Sequence, residues 1–468
     1  MSEDVVSIAL DILRKRKIPR RSAISTSAKV ALGVIVAGIV GAAGGYYAGG
    51  AGAVREVTKK VTERITETIT KTVGTAPSVI TEAVTKTVTV TAGATPTAFQ
   101  PIPPEELDPF TAYLVPPPGS AALPGGPLGD TYLPEFTRLD EYRKEPPWKI
   151  VLASHGGGIS WTELMKKAYT LRAKMYEDLG LIEEFTYREP FFDVEKQVTQ
   201  LEEIYAMEPD AVVISPTNPE AVIPHVDKFF DAGIPTVIVN SEYAGKKFSA
   251  YRMQDNRLFG KLQALWLVKQ LKGKGKIVVL RGAPGEGPDI YRWELGAKPI
   301  IDAYPDMEVL GVAPTGWSYD GGKKATEAFL AAHPQIDGVI SIGGEPTAGA
   351  VDAFIEAGRE LVPMTGEDSN ALVKRWLKYR GKTEYGYFDS VFPVMPVWWG
   401  AMGIDAAVAL LQGIHVKRTI LYAPPYLPNE KIPYYVEKYH FDKYPDDLWW
   451  NAIWYIPHDE LAKMFGME

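Results

Sequence analysis

The stretch PDAVVISPTNPEAVIPHVDKFFDAGIPTVIVNS, residues 209–241, decides the fold. AVVISP and TVIVNS are short apolar runs bounded by turn residues, and between them the spacing predicts a helix over 219–232. Neither run alternates apolar with polar, so both strands are covered on both faces, as in a parallel sheet flanked by helices.

The same alternation runs outward in both directions. KIVLAS opens the folded part at Trp148, and Trp161, Leu164, Met165, Ala168, Leu171 and Met175 fall on one face of the helix that follows. Beyond residue 241 come helix 256–271, KIVVLRG, helix 288–303, EVLGVAP, helix 321–332, GVISIG, helix 346–357, LVPMTGED, helix 369–378, TEYGYFDS and helix 395–412. Uninterrupted strand–helix units predict an α/β fold with parallel sheets. A single sheet of so many strands would be unusually wide, so two Rossmann-like lobes are expected. Ligands of such sheets bind at the carboxyl ends of the strands, where SHGGGIS, NSEYAG, RGAPGEG, IGGEPT and GEDSN all fall.

Before the folded part the chain changes character. Residues 30–54 carry no charge, and at about 1.5 Å per residue they are long enough to span a bilayer core of about 30 Å. Seven basic residues lie before the span, which places 1–29 in the cytoplasm and predicts a single-pass cell-membrane protein with its large domain outside. Val54, Val57, Val61, Ile65, Ile69 and Val73 continue at helical spacing as a stalk, TKTVTVTAG is a Thr-rich spacer, and Pro and Gly dominate from Pro101 to Pro147. Within that linker Phe110, Tyr113, Tyr132 and Phe136 predict that part of it lies against the folded domain. The expected organisation is leader 1–29, membrane helix 30–54, stalk and linker 55–147, lobe 1 over 148–254 plus about 395–423, lobe 2 over 255–394, and an aromatic extension over 424–468.

Composition narrows the chemistry. The net charge is −8, and the basic leader leaves −12 for the rest, so nucleic acid is excluded as a partner. There is no cysteine, so neither disulfides nor thiol catalysis can be argued. The six histidines show no paired-ligand spacing, and no Gly-x-Ser-x-Gly elbow occurs. These points predict no metal and no cofactor, and they supply no nucleophile motif for an enzyme.

The ordered markers PDAVVISPTNPEAV, AGIPTVIVNS, MQDNRLFGK, GKGKIVVLRG, AHPQIDGVISIGG and TGEDSN resemble the type I periplasmic binding proteins of the ribose-binding family, over roughly residues 148–415. The resemblance implies a periplasmic binding protein-like I fold, with two lobes on a three-strand hinge closing over a small molecule. That molecule is usually a sugar, delivered to the permease of an ABC transporter. It places the hinge pair at Asp255 and Asn256, flanking rings at Trp161 and Trp317, strand-end acceptors at Asn240 and Asp368, and an arginine at Arg292. Pentose binders carry Asp-Arg where this chain has Asn240 and Ser241, and Asn-Asp at Gly343 and Gly344, which leaves Glu345 as the nearest polar side chain. Asp389 or Ser390 stands in for a late glutamine. These departures argue against ribose itself and for a larger or differently decorated ligand.

Each assignment has a structural alternative: Trp161 and Trp317 as packing residues, Asp368 as a helix cap, Arg292 and Glu345 as solvated charges, and GGG at 156–158 as backbone clearance. His155 has no assigned role. The leader, Arg21-Ser-Ala-Ile-Ser-Thr-Ser, resembles the prepilin-like leaders of archaeal surface binding proteins, while an uncleaved signal anchor fits the same residues. A filament-forming or sensory protein built on the binding fold is the alternative function.

Overall fold

Val151 and Ala153 face one hydrophobic core while Ile150 and Leu152, their neighbours in the same strand, face another. This two-residue alternation is how a strand covered on both faces divides its side chains, and it organises the whole first lobe. The computed structural model describes residues 101–112 and 136–467. The chain divides into Met1–Thr97 and Ala98–Glu468, and every described residue belongs to the second unit. The predicted leader, membrane helix 30–54 and Thr-rich stalk therefore lie outside the described residues. Among those described, no helix is long and apolar enough to cross a membrane.

Lobe 1 holds β1 (Trp148–Ala153), α1 (Ser160–Asp178), β2 (Ile182–Arg188), α2 (Val194–Ala206), β3 (Ala211–Ile214), α3 (Ile223–Asp231), β4 (Thr236–Val239) and β5 (Ala250–Gln254). All its pairings are parallel, with register Ile150↔Ala211, Val212↔Thr236 and Val237↔Ala250. The order is β10-β5-β4-β3-β1-β2, where β10 (Thr419–Tyr422) returns from late in the chain. Leu201, Ile204, Val226 and Phe229 of α2 and α3 cover one face, and Trp161, Leu164 and Met165 of α1 cover the other. The helix expected over 219–232 starts only at Ile223, because Asn218 first accepts from the backbone N–H groups of Glu220 and Ala221 and holds them in a turn.

Lobe 2 begins where Asp255 caps α4 (Asn256–Gln270), accepting from the Arg257 N–H at 3.0 Å. It continues through β6 (Gly275–Arg281), α5 (Gly287–Arg292), β7 (Met307–Pro314), α6 (Tyr319–Ala332), β8 (Gly338–Ser341), α7 (Gly344–Glu356) and α8 (Asn370–Tyr379). Its sheet, β7-β6-β8, is also parallel. The two further strands expected at LVPMTGED and TEYGYFDS shrink to isolated bridges, Val339↔Met364 and Leu361↔Gly386. Pro363 has no N–H to give a ladder, and Gly386 takes a positive φ of 94° after a 3₁₀ turn at Thr383–Tyr385.

The chain crosses between lobes three times: at Asp255, between β9 (Phe392–Pro393) and α9 (Trp399–Leu411), and between β10 and β11 (Tyr426–Leu427), which pairs antiparallel with β9. Of the linker, Leu107 is buried in lobe 2 and the Tyr304 hydroxyl donates to the Ile102 carbonyl at 2.7 Å. Phe110 packs on Tyr426 with ring centroids 4.5 Å apart. Thr137 and Lys144 donate backbone bonds to Val416 and Leu411 of lobe 1. Tyr113 and Tyr132 lie outside the described residues.

Candidate functional site between the lobes

Strand ends and the loops after them supply a cavity between the two lobes. From lobe 1 come His155, Trp161, Phe192 and Asn240; from lobe 2 come Glu286, Arg292, Trp317 and Glu367; the segment after residue 424 adds Trp449. With the lobes as they stand its volume is about 50 Å³. The lobes stand closed over it: Asn218 donates to the Gly285 carbonyl at 3.0 Å, and the Ser160 hydroxyl donates to Glu345.

Arg292 is the electrostatic centre. It is 3 % exposed; its Nε donates to Asn256 Oδ1 at 3.0 Å, and its Nη1 donates to the Ile342 carbonyl at 2.7 Å and to Glu367 Oε1 at 3.0 Å. Its guanidinium lies 3.7 Å from the Phe259 ring centroid and 5.4 Å from that of Trp317. Asn256 in turn donates to Glu242 at 2.9 Å, so Glu242, Asn256, Arg292 and Glu367 form one chain of contacts beside the hinge.

Burial pushes the Glu242 and Glu286 carboxyls up to about 8, and Glu367 up to about 7 against the opposing pull of Arg292. Burial lowers His155 to about 4, so its ring is neutral. Its Nδ1 meets Ser215 Oγ at 2.8 Å and its Nε2 lies 3.7 Å from Glu286. Asn240 Oδ1 is buried at the cavity wall with no protein partner, an acceptor available to a donor that enters the cleft.

The rings are set by unusual backbone. Asn240 and Trp317 have φ of 63° and 60°, a region asparagine tolerates and tryptophan does not favour. The Trp317 indole lies so close to Gly282 that a Cβ there would come within 2.0 Å of it, and it also crowds Gly343. Glycine at 343, where the pentose binders carry a side chain, therefore makes room for a ring. Trp317 Nε1 donates to Glu286, and Trp161 Nε1 donates to the Met395 carbonyl at 2.9 Å. The GGG turn provides the expected clearance: a Cβ on Gly156 would meet the Phe192 ring at 2.6 Å.

Of the residues singled out in the sequence, Trp161, Asn240, Arg292 and Trp317 line the cavity. Glu345 does not; it sits at the edge, bonded to Ser160. Asp368 is not at the cavity either. In the loop before α8, Glu367 turns to Arg292 while Asp368 turns to the C-terminal segment, accepting from the Asn451 N–H at 2.7 Å and from its side-chain amide at 2.9 Å. Asp389 lies away from the cavity, accepting from Trp376 Nε1 at 2.7 Å, and Ser390 is fully buried. Asp255 and Asn256 both lie at the first crossing. Sequence reasoning missed Glu286, Glu367, Phe192 and Trp449, although the loops RGAPGEG and GEDSN had been marked as strand ends.

Two parallel-sheet lobes thus meet at their strand ends around a small cavity with aromatic and charged walls. Residues 150–415 match the family model described as periplasmic binding protein domain, and the chain belongs to that family, one of binding proteins rather than enzymes. It is 26 % identical over 250 residues to the xylitol-binding protein of Mycolicibacterium smegmatis, covering 52 % of this chain and 68 % of that one. It is 25 % identical over 239 residues to the ribose import binding protein of Bacillus subtilis, covering 51 % and 75 %. The fold matches a Bacillus halodurans ABC transporter solute-binding protein solved with myo-inositol, with TM-score 0.55 and 24 % identity over 63 % of this chain and 99 % of that one.

Proposed function

We propose that this chain is a membrane-anchored extracellular binding protein that captures a sugar or related polyol between its lobes and delivers it to an ABC importer. The observation that carries the reading is the cavity wall itself. Trp161, Phe192, Trp317 and Trp449 offer apolar faces to C–H surfaces, while Arg292, Glu286, Glu367 and Asn240 offer guanidinium, carboxyl and amide groups to hydroxyls. Relatives named for xylitol and ribose support the ligand class. Gly343 and Gly344 in the wall, with a tryptophan ring laid over the first, support a ligand shaped differently from ribose.

A thermal-shift screen of the full chain against pentoses, hexoses, cyclitols and linear polyols tests it. A true ligand at 100 times its dissociation constant should add about 2.7 kcal/mol of stability. A panel with no shift would remove sugars and polyols as cargo.

The anchor rests on the uncharged run 30–54 and on the basic residues before it. Proteinase K added to intact cells should therefore shorten the full-length band and leave Arg292 and Trp317 in released fragments. Complete protection of the domain until the cells are lysed would reverse the orientation.

A further inference from the structure

Residues 426–467 follow the third crossing and lie beyond the span matched by the family model. They grip both lobes. On lobe 2, the Asn370 side-chain amide donates to the carbonyls of Phe441, Tyr444 and Pro445 at 2.9–3.0 Å, and Asp446 pairs with Lys374 and Arg375 at 3.2 and 3.0 Å. Asn451 bonds Asp368, and Trp450 Nε1 donates to Asn370 at 3.0 Å. On lobe 1, Trp449 Nε1 donates to Ser160 Oγ at 2.9 Å, Arg172 Nε donates to the Tyr455 hydroxyl at 2.7 Å, and Lys167 pairs with Glu460 at 2.5 Å. Between the two sets, Asn451 Oδ1 accepts from the Val397 N–H of the second crossing at 2.9 Å.

Two consequences follow from this placement. The lobes cannot part without breaking the grip on one of them, and the polar bonds of the lobe 1 grip are the weaker: Ser160, Lys167 and Arg172 are partly exposed, with Trp398 packed on Trp454 and Tyr455 beside them, whereas the lobe 2 grip centres on the buried Asn370 and Asp368. Trp449, 5 % exposed, also turns its ring into the cavity that the lobes enclose.

We infer that the C-terminal segment is a latch and a third wall of the ligand site: its contacts with Ser160, Lys167 and Arg172 hold the cleft closed, and Trp449 contacts the bound solute and restricts its size. The second half of this statement rests on the proposed solute-binding reading; the first does not.

The chain has no cysteine, so spin labels can be placed cleanly at Glu195→Cys on lobe 1 and Asp320→Cys on lobe 2, both exposed beside the cleft. In the full chain in detergent without added solute, double electron–electron resonance should show one main distance. Combining Tyr455→Phe, Lys167→Ala and Trp449→Phe should add a longer population. These changes leave the lobe 2 cluster intact, and circular dichroism checks the fold. An unchanged distance distribution in the triple variant would overturn the latch. For the wall, Trp449→Ala should weaken the strongest-binding sugar or polyol of the screen by at least tenfold, and Trp449→Phe by less. Equal affinity in all three proteins would overturn the contact. If nothing in the screen binds, sugar capture and the Trp449 contact fail together, while the distance measurement still decides the latch.

Discussion

Arg292→Met should destabilise the protein by about 3–5 kcal/mol in alkaline buffer and abolish solute binding, because it leaves a buried carboxylate without its cation. Glu367 and Asn256 both lose a donor, as does the Ile342 carbonyl, and methionine replaces none of these bonds. The pH dependence of the loss identifies its cause. A carboxyl whose folded value is raised contributes stability that is fully present below its unfolded value and is lost as pH rises through the folded one. In the wild type Glu367 crosses at about 7. Without Arg292 that crossing moves higher, so the variant keeps losing stability where the wild type has levelled off.

The penalty should therefore shrink as pH falls below about 7, where Glu367 carries a proton with or without Arg292. Chemical denaturation of both proteins at several pH values between about 5.5 and 8.5 measures it. A penalty independent of pH would mean that packing against Phe259 and Trp317, not charge, is what Arg292 supplies.

The fold was legible because its strands leave no choice. AVVISP and TVIVNS are apolar on both faces, and only a helix-covered parallel sheet accommodates that. The lobe 2 strand at TEYGYFDS was over-read as one more unit of the strand–helix series, since Gly386 at positive φ and the 3₁₀ turn before it leave only a single bridge there. Within the site, the order of markers along the chain led to Trp161, Asn240, Arg292 and Trp317. It could not choose between Glu367 and Asp368, because two adjacent acids in the loop before α8 carry no periodicity that says which one turns to the cleft. Trp449 was out of reach for another reason. It meets Ser160 across 289 residues of chain, and nothing in DDLWWNAIWYIP says which of its rings turns inward.

Trp161→Ala and Trp317→Ala should separate in opposite directions, although sequence alone treats them as equivalent rings. Trp161 is 8 % exposed, packed with Leu164 and Met165 in the larger core, and its N–H is spent on the Met395 carbonyl at the second crossing. Its truncation opens a core cavity and frees a crossing, so about 3–5 kcal/mol of stability should be lost. Trp317 is half-buried, stacks beside Arg292 and sits at positive φ, where any residue but glycine carries a penalty of about 1–2 kcal/mol. Removing its ring should cost little stability but about 1.5–3 kcal/mol of affinity, a loss of 10- to 100-fold. The backbone supplies an internal control. Trp317→Gly should be more stable than Trp317→Ala by about 1 kcal/mol, the reverse of the order at an ordinary position, because glycine alone relieves the positive φ. Both variants should bind equally poorly, since neither restores the indole over Gly282 or its bond to Glu286. Calorimetric melting and titration of these variants decide the matter, and a Trp317→Ala protein that melts about 3 kcal/mol less stable yet binds normally would make Trp317 a packing residue after all.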